Sequence, residues 1–324
     1  MLDITTNHLF PIVERINSSP EEYRAGFINR AGSIVVSPIF DDARPFRCGL
    51  ATVKCGKRWG AIDNFGNLVI ESIYHSLLRI NEDLIVYSPN GKRGVMSLTG
   101  EVILKPTYRI LVEFQEGASW MSLDTLYGFV TAEGRHLCSP IFEDARSFAE
   151  GVAPVKTHGK WGYINKSLAF EIPAQFDFAL PFSEGLARVE NDGAWGFNRR
   201  GELAIPCRYE GARDFHEGLA EVQVENLGGY VGRDGEVVVK PAFRNTDQFA
   251  EGLAGVEPYA HPQRHYGFIN QEGRYAIPPK YESLSKFRNG LCFVELAEEI
   301  AYIDHSGELI WAGPYVDVGR ISEL

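Results

Sequence analysis

Several things that would narrow the function of this 324-residue chain are scarce or missing. Its five cysteines, Cys48, Cys55, Cys138, Cys207 and Cys292, are odd in number and irregularly spaced. That excludes a patterned disulfide framework and predicts free thiols in a reducing compartment. No apolar run approaches the ~20 residues a membrane helix needs. The opening stretch "MLDITTNHLFPIVERINSSP" lacks the basic start and long apolar core of a secretory signal, so a cytoplasmic location without a membrane partner is expected. Positive charge is also in short supply: 32 Lys and Arg stand against 43 Asp and Glu, a net charge of −11. A phosphate backbone is bound mainly by neutralising it, so nucleic acid is not an expected partner, and a basic protein surface suits the charge better. There is no phosphate loop, no G-x-S-x-G elbow and no H-E-x-x-H pair, and the eight histidines are scattered. The expectation is therefore a protein that is not an enzyme, with no catalytic residue, no cofactor and no metal.

What the chain does have is a repeat. Gly26, Gly60, Gly94, Gly128, Gly162, Gly196, Gly229 and Gly267, with Ala301 in the ninth place, are separated by 34, 34, 34, 34, 34, 33, 38 and 34 residues. Other residues recur at fixed offsets from these anchors. Two positions on stand Ile28, Ile62, Met96, Val130, Ile164, Val231, Ile269 and Ile303; six on stand Gly32, Gly66, Gly100, Gly134, Gly235, Gly273 and Gly307. A proline then precedes an aromatic residue, as in Pro38 with Phe40 and Pro106 with Tyr108, and Tyr315 takes the last aromatic place. "FxEGLAxV" closes the unit at Phe148–Val155, Phe182–Val189, Phe215–Val222 and Phe249–Val256. Self-similarity at a fixed period of 20–50 residues is the signature of a repeat architecture.

These offsets resemble the WG-repeat (KWG-type) proteins common in bacteria, whose idealised unit is "GLAxVxxxGKWGYIDxxGxxVIPPxFDxAxxFxE". Residues 150–185 are the nearest copy, and the resemblance runs over 11–324. The namesake Trp is replaced at Arg93-Gly94, Gly228-Gly229 and Ile300-Ala301. The resemblance implies a repeat scaffold used for interaction, with no shared catalytic residues to carry over.

Read as structure, period-two alternation from Leu186 to Asn191, interrupted by Asp192-Gly193 before Trp195, is a strand, tight turn and strand. A second turn at the anchor-plus-six glycine leads to a short β-branched run, such as "VIL" at 102–104, which proline ends. The segment between the aromatic and the next Phe offers a fourth strand. The expected fold is an all-β array of nine WG-type units over 11–324, after an N-terminal segment of 1–10. A unit of 34 residues is shorter than a usual propeller blade and nine exceeds the usual blade number. The spacing thus favours an open, curved β-superhelix or solenoid, with a closed β-propeller as the alternative.

The Trp-Gly pairs read as structural seams between units, since each unit must bury a face against its neighbour. These positions are Trp59, Gly60, Tyr127, Gly128, Trp161, Gly162, Trp195, Gly196, Tyr266 and Gly267. A four-residue lengthening at 257–267 brings Tyr259, His261, Arg264 and His265 into one loop, a candidate partner contact. Glu116, Glu150, Glu184, Glu217 and Glu251 share one phase and should form a row that solvates the turns or accepts their local backbone N–H bonds. The expected function is a non-catalytic protein-binding scaffold, in its concrete form an immunity protein or inhibitor that masks a basic bacterial toxin. Trp120 and Trp311 among regularly spaced aromatics support a glycan or cell-wall binder as the alternative, and an enzyme whose residues converge only in three dimensions is the third class.

Overall fold

The computed structural model describes residues 8–18, 21–47, 49–79, 84–112, 114–260, 265–297 and 299–314. Regular structure among them is strand throughout, with no helix, and so no helix long and apolar enough to cross a membrane. Cys55, Cys138, Cys207 and Cys292 form no disulfide, and Cys48 lies outside the described residues.

One copy shows why these residues form these strands. Around anchor Gly162, Val152–Thr157 and Lys160–Asn165 make a hairpin whose turn, His158-Gly159, has φ of 50° and 77°. Positive φ at both central residues is the two-residue turn whose twist matches that of the flanking strands. Phe170–Phe176 adds an outer strand beyond the anchor strand, and the two-residue strand Asp144–Ala145 pairs on the other side of the hairpin. The sheet is thus antiparallel and four-stranded, in the order short inner strand, hairpin strand, anchor strand, outer strand. The fourth strand lies between the aromatic and the following Phe, as the sequence suggests. Numbering copies by anchor, the copies at Gly60, Gly94, Gly128, Gly196 and Ala301 repeat this order. The copies at Gly229 and Gly267 share one seven-stranded sheet because strand Val237–Thr246 serves both, and the first copy has three strands.

The anchor glycine sits at a register fault. Trp161 pairs with Phe176 and Tyr163 with Ile172, so two residues of the anchor strand are matched to four of the outer strand. The same fault recurs at Ala25/Phe27, Trp59/Ala61, Tyr127/Phe129, Trp195/Phe197 and Gly228/Tyr230. Such a bulge throws the Ile-Pro segment of the outer strand across the anchor. A Cβ on Gly162 would lie 2.6 Å from the Ile172 carbonyl oxygen and 2.6 Å from the Ala174 nitrogen, and the other seven glycine anchors meet backbone in the same way. The ninth copy is the internal control. With Ala301 in place of glycine, Ile300, Ala301 and Tyr302 pair in unbroken register with Gly313, Ala312 and Trp311. A methyl group at the anchor and a bulge over it exclude each other.

Contacts group the chain into two compact units, one holding the first three copies together with the ninth, the other Tyr108–Lys280. Within each, successive sheets meet through one repeated set of contacts. The aromatic after the anchor packs on the Phe of the next "FxEG": Phe27 on Phe46 in the first unit, and Phe129 on Phe148, Tyr163 on Phe182, Phe197 on Phe215 and Tyr230 on Phe249 in the second. The anchor-plus-six glycine lies against the outer strand of the copy before, Gly66 on Val36, Gly235 on Ile205 and Gly273 on Val239.

In the first unit the ninth and first copies share part of this set. Gly32 lies against Ile310, and the Arg30 guanidinium lies over Gly290 as that of Arg233 lies over Gly185 in the other unit. Tyr302 packs edge-on to Phe10 and donates its hydroxyl to the Pro11 carbonyl oxygen at 2.9 Å. Tyr163 and Tyr230 donate in the same manner to Leu180 and Asp247. Burial pushes all three phenols far above their usual range.

Candidate functional site

The Trp-Gly positions lie where sheets meet. Trp161 is 1% exposed, packs on Phe178 of the following sheet and belongs to a core cluster that also holds Ala179, Phe182, Ala187 and Val189 of that sheet. Trp59 and Trp195 are half-buried beneath guanidinium groups, Arg44 at 4.7 Å and Arg188 at 5.5 Å from the ring centres, as Arg146 stands 4.9 Å from that of Trp161. Tyr127 and Tyr266 take the same place, half-buried, and Gly60, Gly128, Gly162, Gly196 and Gly267 are buried beside them. Trp120 and Trp311 are also half-buried.

The Glu row is a ladder between copies. Glu116, Glu150, Glu184, Glu217 and Glu251 have φ of 52–53°, and each precedes a glycine at 79–86°. Glu-Gly is therefore the tip of a two-residue turn, flanked by bridges such as Ala149↔Val152 and His216↔Leu219. A left-handed conformation costs a residue with a Cβ about 1 kcal/mol or more, and here two cross-copy contacts offset it. The carboxylate accepts from the backbone N–H of the next turn: Gly151 to Glu116, Gly185 to Glu150 at 2.8 Å, and Gly218 to Glu184 and Gly252 to Glu217 at 2.9 Å. The Glu carbonyl oxygen accepts from a side chain four residues past the next anchor, Lys166 on Glu116, Arg200 on Glu150, Arg233 on Glu184 and Gln271 on Glu217. Replacing Glu184 by Ala should cost about 1 kcal/mol through the lost Gly218 bond. Glu184→Asn should cost less, because Asn289 already holds this conformation in the ninth copy with φ of 55°. Urea midpoints of the two variants check the order.

The lengthened loop is described in part. Tyr259 is 58% exposed, its ring is capped by the Arg244 guanidinium at 5.1 Å, and its N–H donates to the Ala242 carbonyl oxygen. His265 is half-buried, while His261 and Arg264 lie outside the described residues.

A charged cluster in the second unit is built around a buried carboxylate that the repeat pattern does not mark. Arg188 pairs with Asp214 at 2.6 Å, and Arg213 reaches Glu221 at 3.0 Å and Asp247 at 3.8 Å. Glu221 is 4% exposed, at a phase where other copies carry Thr52, Pro154, Arg188 and Gly255. Burial raises its carboxyl above the ordinary 4.5, with Arg213 pulling the other way. The folded protein therefore holds the Glu221 proton at pH values where the unfolded chain has lost it. Its contribution is most favourable below 4.5 and declines as pH rises through the folded value. Stability of Glu221→Gln measured against the parent should accordingly shift in the variant's favour on going from acid to neutral pH, read by urea denaturation across that range. No group of three or more His, Cys, Asp or Glu among the described residues is arranged to hold a metal ion.

Comparison with known proteins places this geometry. The family model described as WG containing repeat matches residues 26–59, 59–92, 127–161, 161–195, 197–227, 229–257 and 266–298, more than half of the chain. A solved structure titled as that of the eukaryotic initiation factor is similar over 96% of both chains, at 9% identity and a TM-score of 0.65. Dihydro-heme d1 dehydrogenase NirN in complex with DHE is similar over 95% of this chain and 73% of its own, at 10% identity and a TM-score of 0.49. Apo AztD from Citrobacter koseri follows over 95% of each, at 9% identity and 0.41. At such identities the likeness is one of fold alone. No curated protein matches the sequence.

Proposed function

This chain belongs to the WG-containing repeat family, and from that premise we propose that it is a non-catalytic protein-binding scaffold working in the cytoplasm. The observation that carries the reading is the outer strand. In Ile34–Phe40, Val102–Tyr108, Phe170–Phe176 and Tyr275–Tyr281 the same two positions are buried, the third and the seventh. Most of the remaining positions are exposed, and several outer strands carry large apolar side chains there. Ile34, Ile39, Leu68, Ile73, Ile141 and Val237 are each about half exposed or more. Apolar side chains held outward on a frame whose internal positions are fixed are what a partner surface uses.

Within the first unit, the ninth copy meets the first through several of the contacts that join other consecutive copies. The net charge of −11 favours a basic partner, and a toxin masked by an immunity protein is its concrete form. A glycan platform needs indoles open to solvent, and the burial of Trp161 weighs against it. Calorimetric titration with the basic products of neighbouring genes tests the proposal. One of them should bind with unit stoichiometry and a salt-dependent affinity, and Ile39→Glu with Ile73→Glu should weaken that binding at least ~10-fold with the melting midpoint unchanged. Absence of binding to every such product removes the immunity form. Binding indifferent to both substitutions removes the outer strand as the contact.

A further inference from the structure

We propose that the hairpin tips of the second and third copies, anchored at Gly60 and Gly94, form a cationic seam that binds an extended acidic segment of a partner polypeptide. The seam is built from Lys57, Arg58 and Lys92, with His75 between them, and all four are exposed. Among the described residues neither Lys57, Arg58 nor Lys92 makes an ion pair. Such a group stands out in a chain whose net charge is −11.

Other copies show what the frame ordinarily places there. Arg24, Arg58 and Lys160 stand two residues before their anchors, next to the residue that pairs with the outer-strand aromatic, and so opposite the residue after that aromatic. In the first and fifth copies this opposite residue is an acid, giving the ion pairs of Arg24 with Asp41 and Lys160 with Asp177. The same acid accepts from the next hairpin turn, Asp41 from the Gly56 N–H and Asp177 from the Asp192 N–H at 2.9 Å. In the second copy His75 takes the place, so Arg58 has no counter-charge there. The turn of the third copy is nevertheless satisfied from within. The Ser88 hydroxyl accepts from the Gly91 N–H at 3.0 Å, and the Asn90 side chain accepts from the Lys92 N–H. The frame therefore does not need the missing acid, and its absence leaves the positive charge open to a partner.

His75 joins the two tips. Its N–H donates to the Ser88 carbonyl oxygen at 3.0 Å, and the preceding Tyr74 packs edge-on to Tyr87 with ring centres 5.6 Å apart. Packed sheets stand ~10 Å apart, so a single small anion reaches one tip and not both. An extended polypeptide covers that distance in about three residues, and carboxylates on alternate residues point to one side of it. Acids at that spacing meet Lys57 and Arg58 on one tip and Lys92 on the next. A nucleic acid suits the seam less well, because its closely spaced phosphates also meet the net −11 of the whole molecule. The seam is separate from the outer-strand positions and does not depend on what they bind.

The test follows the fluorescence anisotropy of a labelled peptide of alternating Glu and Gly titrated with the full chain. The peptide should bind at low salt and be released at high salt. Reversing the seam with Lys57→Glu, Arg58→Glu and Lys92→Glu should weaken binding at least ~10-fold. Lys105→Glu, Lys240→Glu and Lys280→Glu, an equal change of net charge at exposed outer-strand sites, should weaken it less than ~3-fold. His75→Asp restores the acid that Asp41 and Asp177 supply elsewhere, and should weaken binding several-fold without lowering the melting midpoint. No binding to the parent, binding indifferent to salt, or equal losses in the two triple variants overturns the proposal. Displacement of the peptide by inorganic phosphate or a single-stranded oligonucleotide at lower concentration than by unlabelled peptide overturns the polypeptide as the occupant.

Discussion

Gly162→Ala should destabilise the protein by on the order of 3 kcal/mol, a large effect for one added methyl group. Two effects of opposite sign compete at this position. Alanine restricts the unfolded chain more than glycine and on that account stabilises a compatible site by roughly 0.4–1 kcal/mol. The site is not compatible: the new Cβ meets the Ile172 carbonyl oxygen and the Ala174 nitrogen at 2.6 Å and the Ala174 Cα at 2.8 Å. All three are backbone atoms that cannot rotate aside, so the outer strand must move and its bulge register is lost. The steric term wins. The converse change in the ninth copy, Ala301→Gly, should cost only about 1 kcal/mol through strand flexibility, because the register there is already regular. Urea denaturation of both variants measures the contrast, and equal costs would mean that the bulge does not depend on the anchor.

Trp161→Ala should cost roughly 3–5 kcal/mol, the range for a fully buried large aromatic. The indole touches the following sheet through Phe178 and shares a core cluster with Ala179 and Phe182, so the loss falls on a seam between copies as well as on its own sheet. Arg146 would lose the ring beneath it while keeping its bonds to Asp144 and the Ala145 carbonyl oxygen. Trp161→Tyr should cost far less, because Tyr127 and Tyr266 hold the equivalent place. Thermal unfolding midpoints in the order parent, Tyr, Ala are the expected result. A tyrosine variant as unstable as the alanine one would show that seams do not tolerate the exchange the copies themselves display.

Much of the frame was legible because its signals are local. Asp192-Gly193 marks a turn that both residues make with positive φ, and the proline-bounded β-branched runs are the outer strands. The anchor glycine was readable as a point of close approach. What approaches it, the carbonyl of a strand ten residues on, depends on a bulge that residue types do not announce. The Glu row was readable as solvating or hydrogen-bonding its own turns, but its acceptors serve the next copy, 34 or 35 residues away. Cations at Arg30, Lys166, Arg200 and Arg233 share the phase four past the anchor and were the available signal for that contact. Arg213 shares its phase with Arg44 and Arg146, but Glu221 had no signal of its own, since it stands once at a phase other copies fill differently. Contact between the ninth and first copies, as in Tyr302 with Pro11, is separated by nearly the whole chain and has no local trace.

The account stands on the Trp-Gly pairs being seams of a frame, with recognition carried by other residues. Tryptophan emission of the native protein, titrated with iodide and acrylamide and then with cell-wall oligosaccharides, tests this most directly. The predicted result is blue-shifted emission, resistant to iodide and unmoved by any sugar. Red-shifted emission that iodide quenches freely, or that a sugar shifts saturably, would make the indoles an open platform and contradict the account.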